Sequence, residues 1–213
     1  MKKTITLFAL LLAFSATRSQ TRLGVKGGFT LSNLRMTGTV NGETESESGN
    51  SAAGFHIGMI TDIAAGKNFH IRPELLIVSK GSTIKDVDEN GNDVKLKFRP
   101  YYLELPVNFL FHKTFPRSGA AIYLGGGPVF SYGIGGKTTV GDTKVDVFNP
   151  GGLKRFDLGL GWIFGFDLPN GLTFSLSANT GLLNVYEENP QYNPYDIKMR
   201  NSSFGLSIGY LLQ

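Results

Sequence analysis

Cysteine is absent from this chain of 213 residues. Disulfide bonds and a lipid attached to a cysteine thiol are therefore excluded. Long apolar runs are missing too, because the longest one, residues 5–14, is far shorter than the roughly 20 residues that a membrane-spanning helix requires. Only three histidines are present, which leaves few candidates for a metal site or a catalytic base.

The chain also lacks a strong excess of charge of either sign. The formal net charge is +4, from 21 basic and 17 acidic residues. Three of the basic residues, Lys2, Lys3 and Arg18, lie in an N-terminal segment without acids, so the rest of the chain is close to neutral. Nucleic-acid binding therefore has no electrostatic support.

The N-terminal segment has the three zones of a secretory signal peptide. Two lysines precede the apolar run, and small residues including Thr17 and Ser19 follow it. This order predicts a signal peptide over residues 1–19 with cleavage before Gln20, or alternatively after Ala16. The remaining residues, 20–213, are predicted to form one domain.

Eight stretches of that domain alternate apolar residues with small or polar ones. Within 154–168, bulky hydrophobes from Phe156 to Leu168 occupy one register, whereas Asp157 and Asp167 occupy the other. Such alternation is typical of β-strands, and each stretch is long enough to cross a bilayer at a tilt. We predict an all-β, eight-stranded antiparallel up-and-down barrel with strands at 22–33, 53–63, 69–81, 98–112, 119–134, 154–168, 171–184 and 201–212.

The composition of the two registers predicts which one faces outward. Alternation alone would also fit a soluble, lipocalin-like barrel with its apolar residues inside. The apolar register, however, carries more aromatic volume than eight strands can enclose, whereas the other register is rich in glycine and serine. We therefore predict a transmembrane barrel of the outer membrane, with Trp162 and Phe164 facing lipid.

The connections between these stretches alternate in length. Long segments such as 34–52 and 185–200 alternate with short ones such as 64–68 and Pro169-Asn170. Bacterial barrels place short turns in the periplasm and long loops outside. Four extracellular loops are therefore predicted, and outer-membrane lipid is the first expected partner.

Five motifs resemble those of a known family of small barrels. They are Gly24 to Gly28, Arg72 to Leu75, Tyr102 to Pro106, Gly125 to Pro128 and Gly205 to Tyr210. On these residues the chain resembles the PorT-like outer-membrane barrels of Bacteroidota, within the porin-like small barrels. The resemblance implies an eight-stranded outer-membrane barrel; most members have no assigned activity, and one is linked to protein secretion. The chain departs from the family in ending on Gln213 rather than on an aromatic residue.

Several charged or polar side chains fall on the predicted inner register. An ion enclosed in a narrow lumen must be paired or hydrogen-bonded, because an isolated buried charge is costly. We predict a lumenal polar cluster in which Arg72, Glu74 and Glu104 form its core; a transport or binding path is the alternative. The predicted cluster comprises Lys26, His56, Arg72, Glu74, Glu104, Asn108, Arg155 and Asp157.

The sequence offers little support for catalysis or for a cofactor. His56 is the best-placed histidine, yet no nucleophile or carboxylate lies beside it in sequence. The segment Asp86 to Gly91 matches half of a calcium loop, but Lys97 occupies the position of the essential glutamate. A hairpin between 83–87 and 94–98 is the simpler interpretation. No enzyme activity, cofactor or metal is therefore expected.

The fourth predicted loop has the composition of a recognition surface. It combines tyrosines with turn residues, which give contact area at low entropic cost, although a solvated loop is the alternative. The predicted contact residues are Tyr186, Tyr192 and Tyr195. We predict a monomeric, non-enzymatic membrane anchor or docking element for a protein partner; the alternative is a narrow porin-like channel for small solutes.

Overall fold

The computed structural model describes residues 21–40, 43–87, 93–140, 143–148, 152–186 and 196–212. The predicted signal peptide, the half-match to a calcium loop beyond Val87, and the tyrosines at 192 and 195 lie outside these ranges. The described residues form eleven β-strands. These are β1 (Thr21–Val40), β2 (Glu43–Ser48), β3 (Asn50–Ala64), β4 (Phe69–Ser79), β5 (Ser82–Val87), β6 (Asp93–Thr114), β7 (Ala121–Val140), β8 (Thr143–Asp146), β9 (Phe156–Asp167), β10 (Leu172–Gly181) and β11 (Asp196–Leu211).

Eight of these strands form a closed antiparallel ring. Around the ring the order is β1, β3, β4, β6, β7, β9, β10 and β11, and β11 pairs with β1 to close it. The predicted eight-stranded up-and-down barrel is thereby confirmed. Closure leaves no strand edge within the ring, so every wall strand has two neighbours.

The other three strands extend the wall beyond the ring. β2 pairs with the far half of β1, β5 with the first residues of β6, and β8 with the last residues of β7. The predicted hairpin is thus present, with Thr83 opposite Lys97 and Val87 opposite Asp93. All three extensions lie at the end of the barrel that carries the long loops.

No helix in the described part of the chain is both long and apolar enough to span a membrane.

The two registers of the wall face the directions that the composition predicted. Trp162 is 61% exposed and Phe164 is 49% exposed, whereas Asp157 and Asp167 are buried. Because the large apolar residues point away from the axis, the lipocalin-like alternative is wrong for this chain. The outer wall is therefore an apolar surface suited to lipid.

Small residues on the inner register allow the lumen to be narrow. A Cβ atom added at Gly161 would lie 2.7 Å from Asn179 Oδ1 and 2.9 Å from Val129 Cγ2. Contacts this short leave no room for a larger side chain. The inner glycines thus make space for the polar side chains of neighbouring strands.

The connections at one end are tight turns, as predicted. In the turn between β9 and β10, Leu168 N donates to Leu172 O at 2.7 Å and Gly171 N donates to Leu168 O at 3.0 Å. Gly171 has a φ of 90°, a conformation that favours glycine. We call this the short-turn end and the opposite one the long-loop end.

Candidate functional site: the lumen and its outer mouth

The short-turn end of the lumen is organised around one buried arginine. Arg72 is 1% exposed and lies between two aspartates from other strands. Its Nε donates to Asp62 Oδ1 at 3.0 Å and its Nη2 donates to Asp167 Oδ2 at 2.9 Å. Its guanidinium also stacks on the Tyr123 ring at 4.3 Å. One cation thus links β3, β4 and β9 across the lumen.

Two histidines lie beside this group. His70 Nδ1 is 3.0 Å from Asp62 Oδ2, and His112 Nε2 is 3.1 Å from Asp167 Oδ2. The two imidazole rings stack with centroids 4.0 Å apart. They border an open cavity of about 570 Å³ at the short-turn end, the vestibule, which Arg22 and Lys67 also line. The described residues contain no cluster of three or more histidines or carboxylates able to hold a metal ion.

The middle of the lumen holds a second ion pair. Lys26 Nζ donates to Glu74 Oε2 at 2.7 Å, and Asn108 Nδ2 donates to Glu74 Oε1 at 3.5 Å. All three side chains are buried. The pair joins β1 to β4, which are separated in the ring by β3, so it too acts across the barrel rather than along the wall.

His56 makes two hydrogen bonds at the same level. Its Nδ1 is 2.9 Å from Thr30 Oγ1 and its Nε2 is 2.8 Å from Ser207 Oγ. A serine within hydrogen-bond reach of a histidine is one requirement of nucleophilic catalysis. Here the second nitrogen contacts a threonine rather than a carboxylate, and all three side chains are buried. These hydrogen bonds satisfy the polar atoms of three buried side chains, and burial keeps a substrate from reaching Ser207.

A third ion pair lies nearer the long-loop end. Lys80 Nζ is 2.6 Å from Glu104 Oε1, and Ser131 Oγ donates to the same oxygen at 3.0 Å. Lys80 also lies 5.2 Å from the centroid of the Tyr102 ring. Close by, Asn201 Nδ2 donates to Asp157 Oδ2 at 2.8 Å. The polar lumen therefore has ionic contacts at all three levels.

Little free space remains among these side chains. The cavity bordered by Lys26, His56, Glu74 and Glu104 has a volume of about 30 Å³. This is the volume that one water molecule occupies in the liquid. The middle of the described lumen is therefore occupied mainly by side chains.

An apolar cluster closes the lumen at the long-loop end, and we call it the outer plug. Some of its residues belong to wall strands. The others belong to two connections, one between β8 and β9 and one after β10. Backbone hydrogen bonds hold these connections, including Val185 N to Met199 O at 2.9 Å and Leu153 N to Val147 O at 2.8 Å. The plug consists of Leu34, Phe98, Tyr102, Val147, Phe148, Leu153, Val185 and Met199.

The structure places seven of the eight predicted cluster residues inside the barrel, but with different partners. The predicted contact of Arg72 with Glu74 and Glu104 is wrong. Glu104 lies opposite Leu76 in the pairing of β4 with β6, four residues and about 13 Å along the strand from Arg72. Each acid is instead paired by the cation at its own level.

The eighth residue, Arg155, does not lie in the lumen. It is exposed because it precedes the first residue of β9, where the alternation of the strand no longer sets its direction. Its Nη1 donates to Gly133 O at 2.9 Å, and its guanidinium lies 4.8 Å from the Phe148 ring. The prediction for Arg155 is therefore corrected: it covers the outer plug from outside.

Of the three predicted contact tyrosines, only Tyr186 is described. It is half-buried, forms an isolated β-bridge with Leu153 and packs against the plug. Its backbone N donates to Asn184 Oδ1 at 3.1 Å. The base of the fourth loop is therefore held by the plug.

Three important ionic residues were missing from the sequence prediction. Asp62 shares the inner register with His56, Asp167 shares it with Asp157, and Lys80 shares it with Arg72. The same alternation that identified the predicted residues could have identified these. The outer plug also had a signal, namely bulky apolar residues within otherwise polar loops.

Two solved structures are similar to this chain over most of its length. OprG from Pseudomonas aeruginosa is similar over 92% of this chain and 97% of its own, with a TM-score of 0.55 and 11% sequence identity. Neisserial surface protein A (NspA) is similar over 88% of this chain and 96% of its own, with a TM-score of 0.44 and 12% identity. No curated protein matches the sequence.

The similarity to OprG supports the fold alone, since the identity is low. The family is shown by a direct match of residues 15–187 to the family described as outer membrane protein beta-barrel domain. That stretch includes seven of the eight ring strands. The chain is thus a protein of the bacterial outer membrane and belongs to the outer membrane protein beta-barrel family.

Proposed function

We propose that this protein is a non-enzymatic, monomeric anchor or docking element that presents its long extracellular loops to a protein partner. The observation that carries this proposal is the outer plug. Because the plug fills the mouth of the barrel, the connections at the long-loop end rest on a packed base instead of bordering a pore. A rigid base reduces the entropy that a loop loses when it binds.

The extended strands support the same proposal. On β1 the lipid-facing apolar residues end at Leu31, yet the strand continues to Val40, a further nine residues or about 30 Å along the strand. The pairs β1 with β2, β5 with β6 and β7 with β8 therefore form a wall that begins at the headgroups and rises above the hydrocarbon layer. Loops carried on such a wall lie well outside the membrane.

The closed lumen disfavours the alternative of a porin-like channel. Lys26–Glu74 and Lys80–Glu104 occupy the lumen beneath the plug, and permeation would have to displace them. Purified protein in planar bilayers is expected to show no stable conductance steps. Well-defined single-channel steps would contradict the proposal.

The surroundings of His56 support the absence of hydrolase activity. Ser207, its hydrogen-bond partner, is buried and lines a cavity of about 10 Å³, no larger than one water molecule. A fluorophosphonate probe is therefore expected to leave Ser207 unlabelled in the folded protein. Labelling that disappears in Ser207→Ala would revive the enzyme hypothesis.

Docking through the fourth loop can be tested by crosslinking in intact cells. A photoreactive amino acid at position 192 or 195 is expected to capture a defined protein, whereas the same group at Ser46, exposed on the neighbouring extension β2, is not. Equal capture from Ser46, or capture of nothing from either loop position, would contradict docking by this loop.

At a finer level, the motifs support membership of the PorT-like group within the family. In the structure these motifs contain three of the four residues of the two lumenal lysine–glutamate pairs, namely Lys26, Glu74 and Glu104. If the assignment is right, other PorT-like sequences should exchange the two members of each pair together. Independent substitution of one member in many sequences would argue against it.

A further inference from the structure

Four basic residues occupy neighbouring positions on the outside of the barrel at the long-loop end. Arg99 on β6 is directly opposite Lys137 on β7, and Lys97 and Lys144 flank Thr139 one step further out. All four basic residues are exposed. Residues directly opposite have Cβ atoms about 5 Å apart, and residues two apart on a strand are separated by about 7 Å. We call Lys97, Arg99, Lys137 and Lys144 the rim cluster.

A β-bulge directs Lys137 to this face. Tyr101 is opposite Gly135 but Tyr102 is opposite Gly133, so Ile134 is an extra residue in β7. Beyond the bulge the alternation of β7 is reversed, which puts Lys137 on the outer face and buries Thr138. Without the extra residue, Lys137 would point towards the plug.

The rim cluster has little compensating negative charge. In the described ranges, no carboxylate lies within 4.0 Å of any of its four side chains. Arg99 Nη1 donates to Ala53 O at 3.0 Å. Asp146 is opposite Lys137 on β8, but its Oδ1 accepts from Phe148 N at 2.8 Å. Like charges directly opposite each other destabilise a sheet, so the arrangement favours an anion from outside the chain.

The position of the cluster indicates what kind of anion this is. The lipid-facing residue next to Arg99 on β6 is Tyr101, whose ring lies 6.5 Å from that of Phe55. Tyr132 is exposed on the same face of β7. Aromatic residues of this kind mark the boundary between hydrocarbon and headgroups. The rim cluster therefore lies at the level of the outer-leaflet headgroups.

We propose that the rim cluster binds the phosphate groups of a phosphorylated glycolipid in the outer leaflet. The Arg99 guanidinium lies on the β3 side of β6 and has donors left for one phosphate. The lysines on β6, β7 and β8 offer point charges for a second phosphate. The acyl chains of the same lipid would lie on the apolar wall beneath, along Leu103 and Tyr132. A soluble anion could use the charges but not this wall, which is why the lipid is favoured.

The test uses the full mature protein in detergent, with native mass spectrometry to measure binding of diphosphoryl lipid A. The double variant Lys97→Gln/Lys137→Gln is expected to bind about 100-fold more weakly, at about tenfold for each lost charge-assisted contact. The wild type is expected to bind fully dephosphorylated lipid A as weakly as this variant binds the phosphorylated form. Both substituted side chains are exposed, and heat-modifiable migration in gels shows that the variant barrel is folded.

The matched control is Lys113→Gln/Arg117→Gln, which removes two exposed charges from the short-turn end. It should keep wild-type affinity for diphosphoryl lipid A. An equal loss in this control, or equal binding of the dephosphorylated lipid, would overturn the proposal. Inorganic phosphate or heparin that competes at equal concentration through the same residues would overturn the lipid as the source of the phosphate.

Discussion

At the short-turn end of the lumen, Arg72 and two aspartates lie behind an open vestibule of about 570 Å³, whereas at the long-loop end an apolar plug seals the mouth. The first closure is made by side chains of ring strands, whose positions the backbone register determines. The second needs the connections next to β8, β9 and β10 to fold inward. The charged group at the short-turn end tolerates contact with water, because its charges remain solvated or paired. An apolar closure excludes water and gives the loops above it a dry, packed base.

The largest expected effect comes from removing the cation at the short-turn end. Arg72→Met removes the only buried cation between Asp62 and Asp167 in the described residues and leaves them the partly exposed Arg22, 2.7 and 3.6 Å away, and two histidines. The free energy of unfolding should therefore fall by about 3 kcal/mol, the low end of the range for a broken buried ion pair. Urea unfolding in lipid vesicles, followed by the fluorescence of the single tryptophan, Trp162, measures this.

The control for that prediction replaces the whole group. Arg72→Met combined with Asp62→Leu and Asp167→Leu removes the three buried charges together, leaves only the partly exposed Arg22, and should recover much of the lost stability. If Arg72→Met alone unfolded at the wild-type urea concentration, the ionic closure would contribute nothing to the barrel.

The next largest effect concerns the outer plug. Leu153→Ala should cost about 2 to 3 kcal/mol, the low end of the range for such a cavity, because the loops around it can partly collapse. Proteolysis of the extracellular loops should accelerate, while the vestibule is unaffected. Leu182→Ala, at a residue that is exposed near the same rim, should change the free energy of unfolding by less than about 0.5 kcal/mol. Equal loss in both variants would contradict a packed plug.

A smaller effect is expected from coupling in the middle of the lumen. In a double-mutant cycle of Lys26→Met and Glu74→Leu, the two side chains should show a coupling free energy of about 1 to 3 kcal/mol. Unfolding of the two single variants and the double variant provides the measurement. Strict additivity would show that the 2.7 Å contact makes no net contribution.

The smallest perturbation probes access of water to the two ends. Because the chain has no cysteine, single introduced thiols report on their own positions. Thr114→Cys, in the lining of the vestibule, should react quickly with a water-soluble maleimide, and Met199→Cys in the plug should react slowly. Similar rates would remove the distinction between the open end and the sealed end.

Much of the fold could be predicted because a membrane barrel imposes simple rules on sequence. A strand that separates lipid from a packed lumen must alternate, so Phe156 to Asp167 revealed both its structure and its outer face. The same rule located Lys26, Glu74 and Asp157 inside. It failed for Arg155, because alternation carries no information beyond the end of a strand.

The pairing of the lumenal charges could not be predicted, because it depends on distances across the barrel. Arg72 and Glu104 share a face, yet the register of β4 with β6 separates them. Asp167 reaches Arg72 only because β9 faces β4 across the lumen at that level. The direction of the Lys137 side chain depends on the bulge at Ile134. Without that extra residue in β7, the side chain would point inward.

By itself the sequence determined that the chain forms a closed barrel with apolar residues outside, because lipid accepts neither unpaired backbone amides nor isolated charges. Only the tertiary structure decided which cation pairs with which acid, how the loops fill the mouth, and which basic residues become neighbours on the outer face. These features depend on the spatial arrangement of strands far apart in the chain, and a period of two along one strand does not encode that arrangement.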